Sequence, residues 1–148
     1  MRTTPSPAGT DVAAPDIAAR LRLSATRLAR RLRQESGAAL SPSQQSALAV
    51  IVNHGPLTLG ALAEHERVAP PSITKVVSKL EADGLVIRTP DPADRRVCRV
   101  AISPEGAALM EESRRRKTAW LTDRITELDP ERQRRLSDAL DVLDELTS

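Results

Sequence analysis

Apolar residues recur at two different periods along this chain, and the change of period marks its parts. Ile17, Leu21, Ala25, Leu28 and Leu32 follow one another at three or four residues, the spacing of one helix face. Arg20, Arg22, Arg27, Arg30, Arg31 and Arg33 fill the remaining surface, so a long amphipathic helix is predicted from Asp16 to about Gly37. Ser41-Pro42-Ser43-Gln44 then combines a capping hydroxyl, a proline at the first helical position and a Gln three residues past the cap. A second helix follows over residues 42–53, closed by Gly55-Pro56. Leu57-Thr58 is too short for an independent strand but can pair at a sheet edge. Leu59, Leu62 and Ala63 mark a short third helix ending near Arg67. Pro70-Pro71 opens a fourth, with Ile73, Val76, Val77 and Leu80 on one side. Gly84 is its stop and Leu85 the hydrophobic partner of that stop.

Beyond Gly84 the period falls to that of a strand. Val86-Ile87-Arg88 and the run from Val97 to Ile102 are β-branched and flank Pro90-Asp91-Pro92-Ala93-Asp94-Arg95-Arg96, a hairpin with a charged, exposed loop. Ser103-Pro104-Glu105 restarts the helical period through Met110, Trp120, Leu121, Ile125 and Leu128. Asp129-Pro130 opens a last helix with Leu136, Leu140, Leu143 and Leu146. Three helices followed by a two-stranded hairpin is the order of a winged helix-turn-helix. The predicted fold is therefore mainly α with a small β-hairpin. A winged helix-turn-helix module occupies residues 41–103, and long N- and C-terminal helices occupy residues 16–38 and 104–148. Residues 1–15, with Pro5, Pro7 and Pro15 and no apolar period, read as a flexible tail. The apolar stripes of the outer helices exceed what one small module can cover. Pairing with a second copy would bury them, so they are read as a dimerisation region.

Composition narrows the function. The 148 residues include one Trp and no Phe or Tyr, so the core must be Leu, Val, Ile and Ala. Surfaces that stack unpaired bases on aromatic rings are almost ruled out. One Cys and two His exclude a disulfide scaffold and a four-ligand Cys/His zinc site. No apolar run is long enough to span a membrane and no signal-peptide h-region opens the chain, so a cytoplasmic location is expected. Net charge is only +2, but 19 of the 22 basic residues are Arg, the side chain suited to bidentate recognition of phosphate and guanine.

Candidate chemistry lies on two elements. Ser72, Lys75 and Lys79 fall at i, i+3 and i+7 on the polar face of the fourth helix, with Pro71, Thr74 and Ser78 beside them. Short hydroxyls near the helix start followed by two ammonium groups suit a major groove, and N–H groups at that start can also donate to phosphate. For the helix taken alone, a solvated polar face is the better explanation. The hairpin tip is more telling. Asp94-Arg95-Arg96 sits where two adjacent Arg gain little packing, and an Arg there can enter a narrow minor groove with Asp94 aiming it.

These segments, in this order, resemble the MarR family of bacterial transcription regulators. The carrying residues are Leu57-Thr58-Leu59-Gly60-Ala61-Leu62-Ala63, Pro70-Pro71-Ser72-Ile73-Thr74, Leu80-Glu81-Ala82-Asp83-Gly84-Leu85-Val86, Asp91 to Arg96 and Ile102-Ser103-Pro104-Glu105-Gly106. The resemblance covers residues 16–146. It implies a homodimeric repressor on a pseudo-palindromic duplex operator, with the outer helices interleaved between subunits. The helix from Pro70 would lie in the major groove, and Arg96, with Arg95, would reach the minor groove. It also implies release by a small lipophilic or anionic effector, for which Trp120 is the one aromatic candidate, although Trp120 reads most simply as part of the helical dimerisation core. One departure is Ala69, where the family often has a capping Ser.

Other residues read more plainly. Cys98 alternates with Val100 and Ile102 and is expected to be a buried, inert thiol. His54 and His65 lack a third ligand, and Arg114-Arg115-Arg116-Lys117 reads as a solvated face. No cofactor and no catalytic constellation is expected. Two rivals stand beside the regulator: an architectural DNA binder without sequence preference, and a winged-helix module that binds protein.

Overall fold

The computed structural model describes residues 12–148. Six helices and three short strands follow in the order α1 (Ala14–Glu35), α2 (Pro42–His54), β1 (Leu57–Thr58), α3 (Leu59–Glu66), α4 (Pro70–Ala82), β2 (Val86–Pro90), β3 (Cys98–Ile102), α5 (Pro104–Thr126) and α6 (Pro130–Thr147). Contacts divide the chain into residues 1–34 and residues 35–148. All of α1 but Glu35 lies in the first unit. The helix begins two residues before Asp16, because Pro15 is tolerated in a first helical turn where its missing N–H has no partner to lose. The predicted tail therefore stops short of Ala14, and its residues 1–11 lie outside the described residues. The α1 helix ends at Glu35, slightly before the expected Gly37, and buries none of its residues.

The second unit holds the core. Leu48 and Ile51 of α2, Leu62 of α3, Ile73, Val77 and Leu80 of α4, Val86 of β2 and Val100 of β3 form one cluster of fully buried side chains. No aromatic ring takes part, and the one Trp lies outside the cluster. Val76, the fourth member of the predicted α4 stripe, is only partly buried against this cluster. The strands form an antiparallel sheet in the order β1-β3-β2, so Leu57 and Thr58 pair with Val100 and Arg99. The hairpin register runs from Val86 opposite Ile102 to Pro90 opposite Cys98. Pro90 thus closes the ladder and the loop begins at Asp91.

Local chemistry explains the boundaries. Ser41 and Gln44 exchange both hydrogen bonds of a capping box, at 3.2 and 2.8 Å. The end of α4 is a Schellman turn. Gly84 adopts φ +74°, its N–H reaches Glu81 O, and Leu85 N–H reaches Leu80 O at 2.9 Å. The α3 stop uses Arg67 in the left-handed region at φ 53°, a conformation without a glycine to announce it. Cys98 is half buried rather than buried, because it sits at the mouth of the hairpin, and its thiol reaches only the Arg99 carbonyl at 3.8 Å. Among the described residues, no helix is long and apolar enough to cross a membrane.

Candidate nucleic-acid interface

The exposed face of α4 carries the predicted residues together. Pro71, Ser72, Thr74, Lys75, Ser78 and Lys79 are all exposed, while Ile73, Val77 and Leu80 anchor the opposite face. Lys75 makes no hydrogen bond or ion pair with other described residues. Lys79 Nζ pairs with Asp83 at 3.2 Å, and the Thr74 hydroxyl donates to Pro70 O at 3.0 Å. Ser78 differs from these: its hydroxyl accepts a bond from Arg88 of β2 at 3.0 Å.

The start of α4 offers less to a phosphate than its position suggests. Pro70 and Pro71 have no N–H, and the N–H groups of Ser72 and Ile73 both point to Ala69 O, at 3.0 and 3.4 Å. Ala69 supplies no side-chain cap. Anion contacts at this end must come from the side chains. Ala69→Ser should therefore bring only the low end of a capping gain, because Ser72 N–H is already bonded. We expect about 0.5 kcal/mol, or roughly 2 °C in Tm by differential scanning calorimetry.

The wing is built around two aspartates. At its base Asp91 is buried; one carboxylate oxygen accepts from Ala93 N at 2.8 Å and the other pairs with Arg99. The Arg99 guanidinium, followed by the Ala93 N–H, holds the Asp91 carboxyl below its ordinary pKa. Arg99 also donates to Pro56 O at 3.4 Å, so it ties the wing base to the turn before β1. At the tip Asp94 accepts from Arg96 N at 3.1 Å and from Nε and Nη2 of the same side chain at 3.2 and 3.3 Å. That side chain is 91% exposed. Asp94 thus aims an almost fully solvated guanidinium, and the same contacts lower its own pKa, so the pairing is lost only in acid. Arg95 is exposed and has no partner among the described residues.

Trp120 stands apart from these elements, half buried on α5 with the Arg124 guanidinium 5.6 Å from its ring centroid. A groove of about 510 Å³ on α5 is lined by Glu111, Arg114, Arg115, Thr118, Ala119, Thr122 and Asp123, without Trp120. His54 and His65 stack on each other at 4.6 Å, and no group of three metal-ligating residues occurs among the described residues. Sequence reading does not single out Arg88 or Arg99. Their roles depend on strand pairing, which places them opposite Val100 and beside Asp91, and no local motif announces that.

The family profile described as MarR matches residues 40–98, from the end of the α1–α2 connection to the start of β3. The chain is 41% identical over 131 residues to an uncharacterized HTH-type transcriptional regulator of Mycobacterium leprae, spanning 88% of this chain and 92% of that one. The chain belongs to the MarR family. This MarR-family protein is also 34% identical over 73 residues to the HTH-type transcriptional repressor MdtR of Bacillus subtilis, covering 49% of this chain and 47% of MdtR. The structure of a putative transcriptional regulator from Pseudomonas aeruginosa matches the MarR-family chain with a TM-score of 0.79 and 32% identity, over 88% of this chain and 94% of that one. A mutant of S. aureus MepR, solved bound to an oligodeoxyribonucleotide, shares the fold with a TM-score of 0.70 at 16% identity, over 89% and 98% of the two chains. This chain is a winged helix-turn-helix transcriptional regulator.

Proposed function

We propose that this protein is a homodimeric repressor that binds a pseudo-palindromic operator in duplex DNA. In this reading residues 41–103 read the DNA, and residues 16–38 and 104–148 join the two copies. The α4 helix enters the major groove with Ser72, Thr74, Lys75 and Lys79, and the wing reaches the flanking minor groove with Arg96 and Arg95. The observation that carries the reading is the wing tip, where Asp94 holds a guanidinium that is otherwise in water. A folded core gains little from that arrangement, whereas the negative potential of a narrow minor groove would.

Support for the second copy comes from the outer helices. Ile17 and Leu28 of α1 are 53% and 44% exposed, and Leu140, Val142 and Leu146 of α6 are 51–67% exposed. The charges of these helices are opposite in kind. Six Arg lie on α1, whereas residues 138–145 of α6 hold Asp138, Asp141, Asp144 and Glu145 with no basic residue. The repressor assignment has the similarity to MdtR behind it, and the DNA target has the oligodeoxyribonucleotide complex of MepR. The effector implied by the resemblance, a small lipophilic or anionic molecule, would act by shifting the spacing of the two reading heads, and the setting of Trp120 beside Arg124 suits an anion.

The test is selection of duplexes from a random library followed by titration at fixed salt. The expected result is an inverted repeat with half-site centres about 10 bp apart and a preference over random duplex of about 1,000-fold. A preference below about 10-fold would favour an architectural binder. Absence of any salt-dependent DNA affinity would favour a protein-binding module.

A further inference from the structure

We propose that Arg88 is a positioning residue that ties the wing to α4 and so sets the distance between the two DNA-reading elements; this rests on the DNA-binding reading above. Arg88 is the third residue of β2, and its side chain is 28% exposed. Its Nη2 donates to Ser78 Oγ at 3.0 Å, and its Nε lies 2.8 Å from Glu81 Oε2. That Nε is buried and finds no acceptor in hydrogen-bond geometry, so the Glu81 contact is an ion pair without a directed bond. Ser78 and Glu81 are three residues apart on α4, and Lys75 precedes Ser78 by another three, so the strand grips the ridge that begins with a proposed base-reading lysine.

The place of this grip along β2 gives it leverage. Val86 is buried in the core, but Ile87, Thr89 and Pro90 are exposed, and the loop from Asp91 to Val97 follows. Arg88 is thus the last side chain of β2 held to α4 before the wing departs. On the other side Arg99 holds the wing base to Pro56 O. Half-exposed ion pairs add little to folding stability, so the pairing is poorly explained as a stabilising device. Two linked contacts reinforce each other most when their spacing is set in advance, and the Arg88 tether does that for the α4 and wing contacts. The same geometry makes Ser78 an anchor for the wing, with its lone pair committed to Arg88.

Operator and random-duplex affinities of full-length Arg88→Ala, Arg88→Lys and Ser78→Ala, each with and without Arg96→Ala, test the tether. Arg88→Ala should weaken operator binding about 10-fold and leave random-duplex binding within about 2-fold, because only the aligned two-point contact is lost. Lys should not rescue, since an ammonium on a flexible stem cannot fork between Ser78 and Glu81. Ser78→Ala should reproduce part of the loss. In the Arg96→Ala background the Arg88→Ala effect should shrink to within about 2-fold. Rescue by Lys, equal losses on operator and random duplex, or the same loss in both backgrounds would mean direct phosphate contact and overturn the proposal. Amide exchange of the free protein separates this from failure of the DNA-binding reading. If wild type binds no duplex, that reading falls. Faster exchange at Asp91, Arg96 and Val97 in Arg88→Ala would still support the tether, and unchanged exchange would overturn it.

Discussion

Replacing Arg96 with Ala should weaken operator binding by about 10-fold per wing, hence about 100-fold for a dimer, while leaving the melting temperature unchanged. Stability is indifferent because the side chain is 91% exposed and its hydrogen-bond partner, Asp94, belongs to the same loop. Affinity depends on it because the guanidinium arrives already oriented by a two-point bond to Asp94, so little conformational entropy remains to be lost on docking. The loss should be accompanied by a shallower salt dependence, with the log–log slope reduced by about 1 for each wing. Fluorescence anisotropy on a labelled operator across a salt series measures both. Lys75→Ala gives the contrast: a base-reading side chain should alter which operator is preferred, whereas the wing variant should weaken related operators in parallel. Unchanged affinity for Arg96→Ala at matched salt would remove the wing from the interface.

Gly106→Ala, a change of one methyl group, should cost about 1–3 kcal/mol of folding stability. A Cβ at this position would stand 2.1 Å from the Leu85 carbonyl oxygen and 2.7 Å from Ile102 Cδ1. The Ile side chain can move but the carbonyl cannot. It accepts Ser103 N–H at 3.0 Å, while Leu85 N–H closes the Schellman turn on Leu80 at 2.9 Å. Displacing α5 instead would break the Ser103 cap, whose hydroxyl accepts from Gly106 N at 3.0 Å and donates to Gly84 O at 2.6 Å. One residue without a side chain therefore lets the first turn of α5 lie against the end of α4. Urea unfolding should show the midpoint falling for Gly106→Ala. The matched Gly60→Ala meets nothing closer than 3.9 Å, lies within α3, and should be neutral or stabilising by up to about 1 kcal/mol. Equal midpoints for the two variants would refute the close-approach argument.

The legible part of this protein is its local chemistry. Four of the six helix starts are announced by Ser41, Pro70-Pro71, Ser103-Pro104 and Asp129-Pro130, because capping hydroxyls, carboxylates and N-terminal prolines act within one turn. The α4 stripe and the hairpin follow from periodicity, and the exposed tip of Asp94-Arg95-Arg96 follows from a loop with nothing apolar to bury. The absence of Phe and Tyr already implied an aliphatic core and a duplex rather than single-stranded target.

Less was legible where the partner of a side chain is far away in the chain. Serine at 78 reads as one more hydroxyl on a polar face until strand pairing brings Arg88 to it from ten residues on. Asp91 reads as a loop residue until Arg99 covers it, and Gly106 reads as an ordinary small residue until Leu85 O lies against it. The start of α4 is a different case. Its prolines were in view throughout, but only the structure shows the next two N–H groups spent on Ala69 O. Helix, strand and exposed loop can be read along the chain, because periodicity, caps and turn residues act over a few positions. Which polar groups are free and which are already committed depends on the packed fold, because those pairings join elements that no short stretch of sequence contains.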